Sequence, residues 1–135
     1  MPGSYPTLQL GPATYEVSAA VTGGQLVMVD GTTGKVKPTT GQVAVVLGVA
    51  LNDAVPAGSG SQLNYATARK EVSVAYGPAE VVLTAGANIA FGQKVVSGAA
   101  GVAIPGTTPT FDQIVGVCTE PAGILSGATG RVRLY

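Results

Sequence analysis

Apolar and polar positions alternate over short stretches along most of the chain, and glycine, proline or aspartate interrupts each stretch before it grows long. Period-two alternation or a short Val-rich run predicts strands at residues 14–19, 25–29, 35–37, 43–51, 62–67, 71–76, 79–84, 94–96, 102–104, 113–119 and 131–135. No window keeps apolar residues at the i, i+3, i+4, i+7 spacing with a cap at each end, so helices are not expected. Between the strands lie turn formers such as Asp30-Gly31-Thr32-Thr33-Gly34 and Ser97-Gly98-Ala99-Ala100-Gly101, which supply the positive φ that tight hairpins need. The pattern predicts an all-β chain, a compact β-barrel or sandwich of short strands. Its core is expected from the strands at 43–51, 71–76, 113–119 and 131–135.

The chain also repeats itself. Val21-Thr22-Gly23-Gly24-Gln25-Leu26-Val27 aligns with Ile89-Ala90-Phe91-Gly92-Gln93-Lys94-Val95, and Val46-Leu47-Gly48-Val49-Ala50 aligns with Ile114-Val115-Gly116-Val117-Cys118, both at a separation of 68 residues. Each half reads as a Gly-Gln turn into a strand, a Gly-rich hairpin, a loop, and an apolar strand interrupted by glycine. An internal duplication is expected, with halves at about 17–84 and 85–135, packing together around a core. Gly48 and Gly116 weaken their strands unless a bulge or a close backbone approach requires them.

Residues 1–15 stand apart. Prolines at 2, 6 and 12 exclude a helix, and the segment is too short to build a core, yet it carries Tyr5, Leu8, Leu10 and Tyr15. It is expected to be an extended N-terminal arm whose apolar side chains contact a partner or a neighbouring subunit, ahead of a single β domain at 16–135. Arg131 and Arg133 alternate with Val132 and Leu134, which puts both guanidinium groups on one face of the final strand, solvated or in an intersubunit ion pair.

Composition narrows the function. The apolar content is mostly Val, Ala, Leu and Ile, with five Tyr, two Phe and no Trp, while 20 glycines raise the entropy lost on folding. Packing against further copies would offset that loss, so oligomerisation is expected. Seven basic and seven acidic residues cancel and are scattered. No footprint for nucleic acid or an anionic membrane results, and near-zero net charge protects poorly against self-association. The N-terminus lacks the basic and apolar regions of a signal peptide, and the run at 43–51 is far too short for a membrane helix, so synthesis in a cytoplasm is expected.

Catalytic chemistry finds little footing. With no His in the chain, Ser-His-Asp and Cys-His arrangements and the usual zinc sites are excluded. A Ser-Lys pairing of Lys94 with Ser97, or two carboxylates meeting in a cleft, remains formally open. Gly86-Ala87-Asn88-Ile89-Ala90-Phe91-Gly92-Gln93-Lys94-Val95 misses the phosphate-loop spacing and puts Val95 where Ser or Thr should hold a metal. Cys118 lies in an apolar strand without a cationic neighbour in sequence, as a buried, inert thiol does. No catalytic residue, cofactor site or metal site is expected.

The ordered series Gly24-Gln25-Leu26-Val27 with Asp30-Gly31, Leu47-Gly48-Val49-Ala50-Leu51-Asn52-Asp53-Ala54, Val72-Ser73-Val74-Ala75-Tyr76-Gly77, Gly92-Gln93-Lys94-Val95, Val115-Gly116-Val117 and Arg131-Val132-Arg133-Leu134 resembles the small capsid cement or decoration proteins of tailed phages. The resemblance spans about residues 15–135, with a longer connection at 105–112. It implies a β-rich homotrimer that adds to the outer surface of an assembled shell, has the major capsid protein as partner, stabilises the shell, and has no catalytic residues. Two other classes compete: a trimeric β-rich nucleotide hydrolase, which needs an acidic metal-holding motif, and a sugar-binding β-module, which normally uses exposed Trp or Tyr platforms.

Overall fold

The computed structural model describes residues 12–58 and 69–135. Among these residues, ten strands form two antiparallel sheets: β1 (Ala13–Glu16), β2 (Leu26–Val29), β3 (Val36–Pro38), β4 (Gly48–Ala50) and β5 (Glu71–Ala75) make the first, and β6 (Ala79–Thr84), β7 (Lys94–Ser97), β8 (Ala103–Pro105), β9 (Gly116–Cys118) and β10 (Thr129–Leu134) the second. A 3₁₀ turn at Phe111–Gln113 precedes β9. The fold is all-β, as the alternation predicts. The predicted strand at 62–67 and the candidate contacts Tyr5, Leu8 and Leu10 lie outside the described residues.

Both sheets have the same strand order, β1-β5-β4-β2-β3 and β6-β10-β9-β7-β8. Each also curls until its outer strands meet. Val17 bridges Val36 and Ala85 bridges Ala103 in parallel, with Ser18 N–H donating to the Val36 carbonyl at 2.9 Å and Gly86 N–H to the Ala103 carbonyl at 2.8 Å. Gly48 and Gly116 open β4 and β9, the middle strands of their sheets. A Cβ at Gly48 would collide with the Ala75 carbonyl oxygen, and one at Gly116 with that of Arg133, so close backbone approach is what these two positions require.

The Gly-Gln turns are equivalent down to their side chains. Gln25 N–H donates to the Thr22 carbonyl and Gln93 N–H to the Ala90 carbonyl, both at 3.1 Å. The two glutamine Oε1 atoms accept from Thr22 N–H at 2.8 Å and Ala90 N–H at 3.0 Å. Gly24 and Gly92 supply the positive φ, 92° and 78°. Glutamine recurs after these glycines because its amide reaches back to satisfy the turn.

The break between the sheets differs from the boundary expected at 84/85. It falls between β5 and β6, because residues 79–84 pair along their whole length with β10. Likewise β1 takes in Ala13 to Tyr15, which the arm expectation placed outside the β domain. Tyr15 faces Val72 across the β1–β5 ladder and packs against the first core. The apolar run at 43–51 is strand only from Gly48 onward. Val43 N–H instead donates to the Ser97 hydroxyl of the other sheet at 3.1 Å.

The first sheet encloses Val17, Val21, Val27, Val36, Ala50, Ala54, Val72 and Val74. The larger cluster includes Leu83, Ile89, Val95, Cys118 and Val132 of the second half together with Leu26 and Val49 of the first. Alternation along β2 therefore sends Val27 inward and Leu26 across the seam, so the outer face of the first sheet is what the second half packs on. Seam hydrogen bonds add to this: Leu26 N–H donates to the Gly101 carbonyl at 2.7 Å and Thr84 N–H to the Gly24 carbonyl at 3.2 Å.

Candidate interaction surfaces

The buried core among the described residues contains no aromatic side chain, and both phenylalanines face solvent, Phe91 at 65% and Phe111 at 92% exposure. The core is filled by Val, Leu, Ile and Ala, as the composition predicts. Large apolar groups left outside a finished core mark contact surface. Of these, Val45, Tyr76 and Tyr135 lie at a groove on the seam and Val82 on a charged sheet face, while both phenylalanines stand apart from the groove.

The groove has a volume of about 190 Å³. Its first wall comes from Leu26 and the segment Ala44-Val45-Val46-Leu47 ahead of β4, its second from Ile114, Val115 and Leu134. Tyr76 and Tyr135, at the ends of β5 and β10, lie on its rim, and among the described lining residues Asp112 carries the charged side chain. Val45 and Tyr135 are strongly exposed. The two chain segments meet here because the Gly77 Cα comes against the Tyr135 carbonyl, where a side chain would not fit. The sequence points to several of these residues as core. None is singled out as groove lining, because the walls come from segments far apart in the chain.

The charged face lies on the second sheet. Cross-strand pairing places Lys94, Val117, Arg133 and Glu80 in one row over β7, β9, β10 and β6, with Arg131 opposite Val82 beside it. Arg131 and Arg133 do share the outer face of β10, while Val132 and Leu134 are buried. Arg131 pairs with Glu120 at 3.3 Å and Glu80 at 3.9 Å, and Arg133 with Glu80 at 3.8 Å. Thr119 donates its hydroxyl to Glu80 at 3.0 Å. These ion pairs are solvent-exposed and within the chain, each worth less than about 1 kcal/mol. The matching row of the first sheet, Leu26, Val49 and Ala75, is apolar and covered by the second half. The duplicated units therefore differ at equivalent places: one carries the seam and the other carries charge.

The residues weighed for chemistry are not assembled into a reactive group. Ser97 is fully buried and gives its hydroxyl to the Gly41 carbonyl at 2.7 Å, whereas Lys94 is exposed at the other end of the strand and on its other face. Cys118 is buried. Among the described residues no three His, Cys, Asp or Glu side chains gather as metal ligands, and no helix is long and apolar enough to cross a membrane. Asp30 is held below its ordinary carboxylate range, chiefly by the Thr32 N–H and then by the Ser18 hydroxyl, which donate to it at 3.0 and 2.9 Å. It caps the β2–β3 hairpin.

No protein-family model matches the chain, and no curated protein matches it in sequence. Among solved structures, the head fiber gp8.5 N base of bacteriophage phi29 is similar in fold, with a TM-score of 0.64 and 17% identity over 92% of each chain.

Proposed function

We propose that the chain is a structural protein of a tailed-phage virion that binds the outside of the capsid and stabilises the shell, without catalytic activity. The observation that carries this reading is the fold shared with a phage head-fiber base over nearly the full length of both chains. Two features of the molecule support it. Phe91, Phe111, Tyr76 and Tyr135 are exposed rather than in the core, as suits a protein whose burial is completed by partners. Its tandem units are joined by main-chain and side-chain hydrogen bonds across the seam.

The partner in this reading is the major capsid protein, and the assembly a homotrimer on the shell exterior. Three copies that each hold a weak contact gain from one another once the first is bound, so modest surfaces suffice for tight attachment. The charged row of the second sheet, with Arg131 and Arg133, is the polar part of that contact. Co-sedimentation of the purified protein with emptied and filled capsids tests it. Saturable binding that raises the temperature at which the capsids release DNA is the expected result. Absence of binding at every ratio, or magnesium-dependent nucleotide hydrolysis by the pure protein, would replace this reading with another.

A further inference from the structure

At the seam the first unit receives the β7–β8 hairpin of the second between the ends of its own β2 and β3. Leu26 N–H donates to the Gly101 carbonyl at 2.7 Å and Gly101 N–H to the Thr39 carbonyl at 3.1 Å. The Gln25 side-chain amide donates to the Ala100 carbonyl at 3.0 Å, and Thr84 N–H donates to the Gly24 carbonyl at 3.2 Å. By the repeat, Leu26 corresponds to Lys94 and Gly24 to Gly92. Thr39 corresponds to Gly106, since Thr39 N–H donates to the Leu26 carbonyl at 3.0 Å and Gly106 N–H to the Lys94 carbonyl at 2.8 Å. In neither unit is the return bond of that pair made. The first unit fills the gap with Gly101; in the second, among the described residues, Lys94 N–H and the Gly92 and Gly106 carbonyls have no partner. Phe91, beside Gly92, is 65% exposed. Unpaired backbone groups at an exposed edge are a template for another chain.

We propose that a second copy of this chain docks here, setting its β2–β3 hairpin against Lys94 and Gly106 as the β7–β8 hairpin is set against Leu26 and Thr39. The first unit carries the matching parts, and they are open. Gly34 has the backbone conformation of Gly101, with φ of 71° and 72°. A Cβ on Gly101 would strike Gln25 and the Leu26 carbonyl, whereas one on Gly34 would meet open space. Glu16 is the counterpart of Thr84, each standing one residue before a parallel bridge, and among the described residues its N–H has no acceptor. In the docked pair Lys94 N–H donates to the Gly34 carbonyl and Glu16 N–H to the Gly92 carbonyl. Gly34 N–H is already given to Asp30 within its own hairpin, and Lys94 stands where the internal seam buries Leu26, so this contact is the weaker, reversible version of the seam. It joins unlike surfaces, head to tail, and such a contact builds a ring when its rotation closes. It rests on the self-assembly proposed above and not on capsid binding.

Cysteine cross-linking between full chains, with no capsid present, tests it. A Thr33→Cys chain is mixed with a Lys94→Cys chain, and in a parallel sample with a Val45→Cys chain as the control. All three positions are exposed, so the fold tolerates them, and the native Cys118 is buried. The expected result is a disulfide-linked dimer of the two different chains, formed many-fold faster for the Thr33→Cys and Lys94→Cys mixture than for the control mixture or for either chain alone. Dimers formed as fast by the Lys94→Cys chain with itself would make the contact two-fold symmetric and overturn the proposal. Equal rates in the test and control mixtures would overturn it as well. Either failure leaves capsid binding, measured by co-sedimentation, to stand or fall separately.

Discussion

Thr39 donates its hydroxyl to the carbonyl of Gly98 at 2.8 Å, a fully buried hydrogen bond that ties the loop after β3 to the hairpin after β7. Ser97 does the same one residue away, donating to Gly41 and accepting from Val43 N–H. These are the buried polar side chains among the described residues, and both lie on the seam. Thr39→Val leaves the buried Gly98 carbonyl without its partner, and Ser97→Ala leaves the half-buried Gly41 carbonyl and Val43 N–H without theirs, which costs about 1 to 3 kcal/mol in each case. Urea unfolding followed by circular dichroism is expected to show that loss in each variant. A midpoint unchanged in both would mean that the seam does not depend on them.

Gly48→Ala and Gly116→Ala drive a Cβ into the neighbouring strand's carbonyl, where the obstacle is backbone and has no rotamer to escape into. Each is expected to lower stability by about 3 kcal/mol, at the upper end for overpacking. Gly41→Ala, whose Cβ would meet open space, is expected to stay within about 0.5 kcal/mol of the parent. Thermal unfolding of the three variants side by side checks the ranking.

Val49 and Val117 are equivalent by the repeat, yet aspartate in place of each should act very differently. Val49 is wholly buried at the seam, so Val49→Asp strands a charge and is expected to cost on the order of 4 kcal/mol, close to the margin of a small domain. Val117 stands on the outer face between Lys94 and Arg133. There Val117→Asp gains opposite charges across the strands and is expected to change stability by about 1 kcal/mol or less. Soluble yield and urea midpoint distinguish the two. Similar damage from both would show that the second face is covered.

Asp30 gives a pH dependence with a defined sign. Its carboxylate is preferred in the folded hairpin, so its contribution is present above the ordinary value of 3.8 and is lost as the pH falls through the lower folded value. The Thr32 amide resonance, followed by NMR, is expected to titrate with a midpoint below 3.8, and Asp30→Asn should abolish that titration. A midpoint at or above the ordinary value would mean that the cap is open in solution.

Much of this architecture is written in local pattern. Alternation finds residues 79–84 and the buried Val132 and Leu134, and the recurrence of Gly-Gln marks two turns whose glutamine amides do the same work. What escapes is decided by distant partners. The residues of β6 belong to the second unit because they pair with β10, some fifty positions later, and nothing in their own sequence says so. Val43 to Leu47 read as strand, but Val43 N–H is bonded across the seam to Ser97, and the segment rejoins its own sheet at Leu47, whose N–H donates to Val27. Nor can alternation separate Val49 from Val117, since it divides a strand into two faces without saying which one another unit will cover. The groove is least legible of all, because its walls come from both halves and from chain ends brought together at Gly77 and Tyr135.

The parallel bridges from Val17 to Val36 and from Ala85 to Ala103 bear on how many copies can be crowded into a small space. An open five-stranded sheet presents two rows of unsatisfied amides and carbonyls, and any identical molecule can extend the ladder by adding a strand. A chain with zero net charge has little repulsion to prevent this. Bridging the outer strands takes part of those rows out of play, which leaves less open edge for another copy to pair with. Crowded copies built this way therefore have fewer backbone groups through which to join edge to edge.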